Sequence, residues 1–464
     1  MEKTEKNRLL KALPKIDALL DSPPCASEAL AIGRAEVLSI CRDAVERAKR
    51  RALDEGIAPD QARIEADVAD GCRRARAMML GPAVNGTGVL LHTNLGRAPL
   101  GAALFAEAAR LVGGYCNLEI DVLERRRGAR GAHVSKLLAA MCGAEDALVV
   151  NNNAAAMYLI LRGLAAGRRV AVSRGELVQI GGGFRIPEIL EGSSAILEEV
   201  GTTNITTLDD YARAIGPDLA IQLKVHHANF RMSGFVEAPD VRELAALKRA
   251  GLALVSDLGS GNPVPARSGG PRGEPTPREM LEAGADLVCF SCDKMLGGVQ
   301  GGVVAGRADL VRRLAKNPAM RMLRVDKITY AMLQIVLARH ARGDHEGVLL
   351  WSLAAPPRDE VRARAARFLE AHGLGAPLFE VVDSAAAFGG GSTPGEEIPS
   401  AAIRVRSRRS PDEIARALQR HEPPVVGTVR EGAYQLDFRT ILADDEAPLA
   451  DALLELATDE ARIP

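Results

Sequence analysis

Lys294 is the residue of this sequence best suited to covalent chemistry. It follows the apolar run 286–291 and precedes a Gly-rich stretch, 297–302, so it lies in a short connection between two segments that read as core strands. A buried lysine is energetically costly unless its amine has a use, and formation of a Schiff base removes its charge. The glycines would allow the connection to pass close to a cofactor. The alternative is a surface lysine in a Gly-rich hairpin.

A second candidate, Asp257, ends the apolar run 252–257 and precedes a Gly turn. A carboxylate at that position can pair with a ring nitrogen and keep it protonated, which turns a pyridine ring into an electron sink. Taken alone, Asp257 is equally an ordinary turn residue.

The third feature is the segment Asn151, Asn152, Asn153 and Ala154, which follows the run 147–150 and enters a helix. Small and amide residues at a helix N-terminus leave backbone N–H groups free to hold a phosphate. An Asn-capped helix without a ligand is the alternative. A phosphate cup, a ring-nitrogen acid and a lysine, in this order along the strands, predict a pyridoxal-phosphate site.

The elements that must position these residues are short apolar runs, most of them separated by helical stretches. The runs with β-type composition are 147–150, 168–173, 194–200, 219–225, 252–257, 286–291 and 301–306. This alternation predicts an open, mostly parallel α/β sheet of seven strands, in which ligands bind at the carboxyl ends of the strands. The connection between the last two runs is too short for a crossover helix, so these strands should be adjacent and antiparallel.

The same patterns predict how the chain is organised. Residues 1–80 read as a helical N-terminal domain, and residues 81–335 contain the cofactor-binding sheet. Residues 336–464 alternate helices and strands, which is typical of a small α+β domain. The Gly-rich segment 386–398 is the predicted flexible loop.

Composition narrows the class of protein. The formal net charge of −1 and the 3% share of aromatic residues give no general attraction to nucleic acid and no base-stacking platform. The charged start and the absence of a run of about 18 apolar residues predict a cytoplasmic protein without a membrane span. The seven scattered cysteines fit reduced thiols. We interpret the C-x-x-C pair Cys289 and Cys292 as core thiols rather than a redox or metal pair, and we expect no metal site.

At these residues the sequence resembles the bacterial selenocysteine synthases, the L-seryl-tRNA(Sec) selenium transferases, which are pyridoxal-phosphate enzymes of fold type I. The resemblance covers nearly the whole chain, and consecutive matches of this length are far more specific than a short motif. The matching segments include NGTGVLLHTNLGRAPL (85–100), VVNNNAAAMYLIL (149–161), SRGELVQIGGGFRIPEIL (173–190), KVHHANFRMSGFVE (224–237), SDLGSGNPVP (256–265), SCDKMLGGVQGG (291–302), NPAMRMLRVDKIT (317–329) and PPVVGTVREGAYQLDFRTI (423–441).

The resemblance implies roles for particular residues. Lys294 matches the lysine that holds the cofactor, and Asp293 beside it matches a catalytic carboxylate. Arg97, Arg321 and Arg324 match the arginines that bind the phosphate group of the selenium donor, selenophosphate. Guanidinium groups suit this task because they bind phosphate oxygens through paired hydrogen bonds. A surface ion pair is the commoner role of an arginine, and only the resemblance selects these three.

The sequence departs from the family pattern at four positions. The family pattern around the cofactor lysine has glycine, proline and alanine where this chain has Cys292, Val299 and Gly301. Ile205 stands where the family usually has arginine. The loss of that charge removes a possible contact with an anion.

The activity implied by the resemblance is the conversion of serine on tRNA(Sec) to selenocysteine. Elimination of the seryl hydroxyl would give a dehydroalanyl-tRNA, to which selenium is then added from selenophosphate. The family implies that residues 1–80 recognise the shape of the tRNA, whereas from sequence alone a helical arm for subunit contacts has equal support. The family also implies a homo-oligomer, a ring of ten subunits.

Two other functions stay open at this point. A β-eliminating lyase of the same superfamily would act on a small free or phosphorylated amino acid. Ile205 and the lack of excess positive charge favour it, and the helical N-terminal segment argues against it. A non-catalytic RNA-binding or regulatory protein on an old enzyme scaffold is disfavoured because Asp257 and Lys294 are intact.

Overall fold

The computed structural model describes residues 8–180, 184–266 and 270–462, and two compact units divide the chain between Ala83 and Val84. The first unit is helical, as the sequence predicts. Apolar side chains from its helices, among them Leu20, Val37 and Val68, form its core. Its helices are Ile16–Leu20, Pro23–Ile32, Arg34–Asp54 and Gln61–Ala77.

The second unit is built around a seven-stranded sheet, which confirms the predicted fold class. Its strands are β1 (Asp146–Val150), β2 (Arg169–Ser173), β3 (Ile196–Val200), β4 (Leu219–Val225), β5 (Ala253–Gly259), β6 (Leu287–Ser291) and β7 (Gly302–Gly306). They lie in the order β1-β7-β6-β5-β4-β2-β3, and every pairing is parallel except those of β7 with β6 and with β1. The antiparallel pairing of β6 with β7, predicted from their short connection, is confirmed.

Helices cover both faces of this sheet, which is why its strands read as apolar runs. Along β1, Ala147 and Val149 face one hydrophobic cluster, and Leu148 and Val150 face the other. The first cluster includes the helices Gly101–Val112, Ala132–Cys142 and Lys327–Ala341, and the second includes Asn153–Leu164, Ile186–Gly192 and Ala308–Ala315. Burial of each large aliphatic side chain contributes about 1.5–3 kcal/mol. These layers hold the carboxyl ends of the strands in place.

Three shorter helices connect strands of this sheet, and a fourth follows its last strand. The connecting helices are Leu208–Ala214, Val241–Ala245 and Pro277–Glu282, and the fourth is Met320–Leu323. Three of them begin with a capping box, in which the side chain of the first residue and a carboxylate three positions later satisfy each other's backbone N–H groups.

A smaller sheet follows in the C-terminal region. Its strands are β8 (Phe379–Ala386), β9 (Ile398–Val405), β10 (Thr428–Arg430) and β11 (Ala433–Asp437), in the antiparallel order β8-β9-β11-β10. The helices Arg358–Ala371, Pro411–Gln419 and Glu446–Ala461 share its core. The helix Leu349–Ala354 packs instead with the first cluster of the large sheet. The division of the second unit near residue 335 stays a prediction.

Within the described ranges, no helix combines the length and the apolar character needed to cross a membrane. The longest of them, Arg34–Asp54, spans 21 residues and carries charged side chains along its length.

Candidate active site

Lys294 lies just beyond the carboxyl end of β6, in the turn that leads to β7. Its side chain is buried, with 6% of the residue exposed, so the alternative of a surface lysine is wrong. The turn is closed by two backbone hydrogen bonds of 2.9 Å, from Gly297 N–H to the Lys294 carbonyl and from Gly298 N–H to the Cys292 carbonyl. The amine is therefore held in the interior at the edge where α/β sheets bind ligands.

The surroundings of Lys294 favour its neutral amine. Burial lowers the pKa of Lys294, and the nearby positive charge of Arg97 lowers it further. Three carboxylates, Asp257, Asp293 and Glu274, act in the opposite direction with smaller effect. Because only the neutral amine is a nucleophile, this environment prepares Lys294 for Schiff-base formation.

Asp257, at the end of β5, lies close to this amine. Its Oδ1 accepts hydrogen bonds from Asn153 Nδ2 at 2.8 Å and from Gly259 N–H at 3.1 Å. A Cβ placed on Gly259 would stand 3.8 Å from Lys294 Nζ, so the turn after Asp257 borders the lysine. Burial raises the pKa of Asp257, and the hydrogen bonds and the charge of Lys294 oppose that rise.

The segment after β1 serves two purposes. Asn152 caps the helix Asn153–Leu164, because its side chain accepts from Ala155 N–H at 2.9 Å, as the capped-helix alternative expected. Asn151 N–H donates to the Leu323 carbonyl at 2.9 Å. Among the described residues, the backbone N–H groups of Asn153 and Ala154 meet no acceptor. A helix N-terminus with free N–H groups is suited to a phosphate.

These residues fit pyridoxal phosphate. Asn153 Oδ1 is buried and has no hydrogen-bond partner within the described ranges, which is a cost that a bound group would remove. Asp257, which is the predicted ring-nitrogen acid, the amine of Lys294 and the helix N-terminus at Ala154 converge from the ends of three strands. The sites predicted for the ring, the Schiff base and the phosphate are thus compatible with one ligand.

Arg97 and Asp293 are brought together beside Lys294. Arg97 has a positive φ of 65°, and its Nη1 donates to Asp293 Oδ2 at 2.7 Å. Asp293 is 8% exposed, and its carbonyl accepts from Ala98 N–H at 3.2 Å. The pair joins two predicted site residues that are 196 positions apart in the sequence.

Arg321 and Arg324 lie at the helix Met320–Leu323, next to the end of β1. Arg321 is exposed and Arg324 is partly exposed. In the described part of the chain, no hydrogen bond or ion pair joins the side chain of either arginine to Asp257 or Asp293. Their part in binding selenophosphate stays a prediction.

Two features of the site escaped the sequence analysis. Glu274, 2% exposed, accepts hydrogen bonds from Ser260 Oγ and from Thr393 N–H. The segment predicted as a flexible loop, 386–398, packs onto the site, because a Cβ on Gly391 would lie 3.4 Å from Lys294 Nζ. No local pattern in the sequence signals either feature.

The side chains of Trp351 and His340 form hydrogen bonds with the backbone just after Lys294. Trp351 Nε1 donates to the Met295 carbonyl at 2.9 Å, and His340 Nε2 donates to the Leu296 carbonyl at 2.9 Å. His340 Nδ1 lies 2.8 Å from His345 Nδ1. The backbone directly after Lys294 is therefore fixed by side chains from the C-terminal half.

We expect His340 to make stability depend on pH. Burial lowers the pKa of His340 to about 4, whereas in the unfolded chain it is near 6.5. Its contribution is complete above pH 6.5 and is lost as the pH falls towards 4, because only the unfolded chain binds the proton in that window. At pH 5 the loss is on the order of 2 kcal/mol relative to pH 7.

The measurement is urea unfolding at pH 7 and pH 5. The variant His340→Gln should show a weaker loss of stability at pH 5 than the wild type. His372→Gln, which changes an exposed histidine, serves as the control. Equal pH dependence in the wild type and His340→Gln would contradict this expectation.

Two departures from the family pattern compensate each other. A Cβ on Gly301 would stand 3.2 Å from Cys292 Sγ and 3.6 Å from Cys292 Cβ. The thiol therefore fills space beside the methyl group that the family's alanine would carry at 301. The methyl group absent at Gly301 therefore offsets part of the volume that Cys292 adds under the lysine turn.

If Cys292 and Gly301 compensate each other, the effects of replacing them on the free energy of unfolding should not be additive. Gly301→Ala alone crowds the thiol, and Cys292→Gly alone leaves a cavity, so each should lower the free energy of unfolding by about 1–2 kcal/mol. The double variant should lose about 1 kcal/mol less than the sum of the two single losses. Thermal unfolding of the three variants measures this coupling, and strictly additive losses would refute it.

The C-x-x-C pair belongs to the core. Cys289 and Cys292 are both fully buried and form no disulfide. Burial raises the pKa of both thiols, so thiolate chemistry is suppressed. Among the described residues, no group of three or more His, Cys, Asp or Glu side chains is placed to hold a metal ion.

Ile205 lies in the turn after β3. It is 39% exposed, and its N–H donates to Thr202 Oγ1 at 3.2 Å. Its backbone also pairs with Glu237. The departure from arginine therefore leaves an apolar side chain at a surface turn.

The fold and the site define a pyridoxal-phosphate-dependent enzyme of fold type I. The architecture is similar to the solved structure of a D-glucosaminate-6-phosphate ammonia-lyase, with a TM-score of 0.57 and 17% sequence identity over 82% of this chain and 97% of that one. At that identity the likeness concerns the fold.

The family is shown by sequence. Residues 83–442 match the family described as L-seryl-tRNA selenium transferase, and the chain belongs to this family. It is 40% identical to the L-seryl-tRNA(Sec) selenium transferase of Moorella thermoacetica, over 97% of both chains. It is also 40% identical to that of Hyphomonas neptunium, over 97% of this chain and 99% of the other. The enzyme of Geobacter sulfurreducens is 39% identical over 97% of this chain and all of its own.

Proposed function

We propose that the protein converts seryl-tRNA(Sec) to selenocysteinyl-tRNA(Sec) with pyridoxal phosphate as cofactor and selenophosphate as selenium donor. The observation that carries this proposal is the buried Lys294 amine between Asp257 and the Arg97–Asp293 pair, in a chain of the selenium transferase family.

Each residue of the site has a task in this reaction. When bound, the cofactor supplies an electron sink that makes the Cα–H of the serine acidic. Asn153, Ala154 and Asp257 would hold it at its phosphate and ring nitrogen, and Asn151 and Asn152 shape the turn around them. Lys294 would hold its aldehyde carbon and, as a neutral amine, move the proton at Cα.

The second half of the reaction needs an anion site. Arg97 uses Nη1 for Asp293, and its other N–H groups are suited to the oxygens of selenophosphate. Arg321 and Arg324 would add further positive charge. Asp293, held by Arg97, is the carboxylate nearest in sequence to the reacting lysine and would act as the catalytic carboxylate.

The protein would act as a homo-oligomer, for which the family implies a ring of ten subunits. Several large apolar side chains between 105 and 123 are exposed in the single chain. They are Phe105, Leu111, Tyr115, Ile120, Val122 and Leu123. A group of exposed apolar side chains is typical of a subunit interface, and contact with a second copy of the chain would bury these side chains.

The helical unit would recognise the tRNA. Several of its basic side chains are exposed but form ion pairs with neighbouring acids: Arg73 and Arg74 contact Asp70, and Arg47 and Arg51 contact Asp67. This balance fits recognition of shape and backbone better than a purely electrostatic attraction.

Removal of residues 1–83 should separate tRNA binding from cofactor binding. We expect affinity for tRNA(Sec) to fall at least about 10-fold, while the visible absorption of bound cofactor persists. Filter binding with labelled tRNA(Sec) measures the first quantity and absorption spectroscopy the second. Unchanged tRNA affinity would indicate instead that the helical unit is an arm for subunit contacts.

The decisive assay is selenium transfer from selenophosphate to seryl-tRNA(Sec), with seryl-tRNA(Ser) and free serine alongside. Selenocysteine formed only on tRNA(Sec) would establish the reaction and the substrate together. Bound cofactor without selenium transfer, combined with elimination from free or phosphorylated serine, would replace the proposal by the small-molecule β-eliminating lyase.

A further inference from the structure

Glu274 is a buried carboxylate that the proposed reaction does not use. Its side chain is fully shielded from solvent. It accepts hydrogen bonds from Ser260 Oγ and, at 3.2 Å, from Thr393 N–H, and its Oε2 lies 3.2 Å from His226 Nε2. Three groups from three chain segments therefore meet at this one carboxylate.

Each partner of Glu274 in turn contacts the lysine site. The Ser260 carbonyl accepts from Met295 N–H, next to Lys294, at 3.0 Å. The backbone N–H of His226 donates to the Asp257 carbonyl at 2.8 Å. Thr393 lies two residues from Gly391, the closest approach of its loop to the Lys294 amine.

The loop that Thr393 belongs to, residues 387–397 between β8 and β9, is held by two carboxylates and by backbone hydrogen bonds from Leu90 and Leu91 to its first two carbonyls. Glu274 accepts from Thr393 N–H, and Glu396 Oε1 accepts from Gly273 N–H at 2.7 Å. Gly390, with a φ of 62°, packs so closely that a Cβ there would lie 2.2 Å from the Leu91 carbonyl oxygen. The loop is thus fitted onto the site rather than projecting from it.

The side chains of this loop form an uncharged surface. From 387 to 395 it carries no charged residue. Ser392 and Thr393 are each 3% exposed, and their hydroxyl oxygens have no hydrogen-bond partner among the residues that the structure describes. Buried hydroxyls without partners are groups that a ligand can satisfy.

We propose that Glu274 is a positioning residue that clamps the loop 387–397 over Lys294, and that the clamped loop binds the ester end of the aminoacyl substrate. This inference rests on the proposed function. The ester carbonyl of an aminoacyl-tRNA is neutral and accepts hydrogen bonds, which Ser392 and Thr393 can donate. A free amino acid presents a carboxylate instead, and the loop offers it no cation.

Hydrogen exchange in the holoenzyme tests the clamp directly. Glu274→Gln keeps the shape of the side chain but removes its negative charge, so the hydrogen bond from Thr393 N–H is no longer charge-assisted. The loop 387–397 should then exchange its amide protons at least about 10-fold faster. Glu279→Gln is the matched control, because Glu279 belongs to the capping box of the next helix and does not contact the loop. Unchanged exchange of the loop in Glu274→Gln would overturn the clamp.

Kinetics test the role of the clamped loop. In Glu274→Gln, KM for seryl-tRNA(Sec) should rise about 10-fold with kcat within about threefold, and KM for selenophosphate should stay unchanged. The double variant Ser392→Ala, Thr393→Ala keeps the Thr393 N–H and should raise the same KM without faster exchange. A loss confined to kcat in both variants would overturn the role in substrate binding.

The two measurements separate the inference from the proposed function. Hydrogen exchange needs no substrate, so it decides the clamp even if the wild type transfers no selenium. If Glu274→Gln does not fold, Glu274→Asp replaces it, because the shorter carboxylate keeps its charge but cannot reach all of its partners. Loop exchange like that of the wild type in Glu274→Asp would then count against the clamp.

Discussion

Lys294→Ala should abolish selenium transfer. In the proposed reaction Lys294 would both hold the cofactor and move the proton at Cα, and general acid–base catalysis alone contributes about 10²–10⁴-fold. We therefore expect a fall of at least about 10³-fold in the rate of transfer to seryl-tRNA(Sec). Because the alanine is smaller and uncharged, the fold around this buried position should persist.

The readouts are selenium incorporation and the visible absorption of bound cofactor, which should both be lost. Lys316→Ala, at an exposed position after the helix Ala308–Ala315, is the control and should behave as the wild type. Selenium transfer at more than about one tenth of the wild-type rate in Lys294→Ala would contradict the assignment of the cofactor lysine.

Asp257→Asn should give the second largest effect. The amide has the shape of the carboxylate and can still accept from Asn153, but it cannot keep the ring nitrogen of the cofactor protonated. The electron sink is then weakened, and we expect kcat to fall about 10²–10⁴-fold, with a smaller change in KM. The variant would lose the positive charge on the ring nitrogen, which favours removal of the proton at Cα.

Steady-state kinetics with both substrates saturating give kcat, and absorption spectroscopy shows whether the cofactor is still bound. Asp309→Asn, which alters an exposed carboxylate paired with Arg307, is the control. A kcat within about twofold of the wild type, with the cofactor bound, would remove Asp257 from the role of ring-nitrogen acid.

The large sheet was predictable because all of its strands except the edge strand β3 are largely buried on both faces. Such strands appear as apolar runs whatever their neighbours are, and all seven runs became strands. The strand β8, FEVVDSAA, was not predicted, because it is buried mainly at its two ends and carries Glu380 and Asp383 between them. Its pairing with β9 depends on residues about 20 positions away rather than on local pattern.

The site was predictable where its residues end strands. Asp257 and Asn151–Ala154 were found in this way, because the carboxyl ends of parallel strands meet at one edge. Arg97 came only from the resemblance to a family, since its partner Asp293 is 196 positions away. Glu274 was missed for the same reason: its partners are 14, 48 and 119 positions away, and no spacing in the sequence indicates such contacts.

The hydrogen bond from Trp351 to the Met295 carbonyl gives this protein a built-in optical reporter. Trp351 is the single tryptophan of the chain, it is 7% exposed, and it lies beneath the residue that follows Lys294. Fluorescence excited at the long-wavelength end of protein absorption, where tryptophan absorbs, therefore comes from Trp351. A chromophore attached to Lys294 would accept energy from that indole, so dimming and recovery of the fluorescence would follow loading and release of the cofactor without any added label.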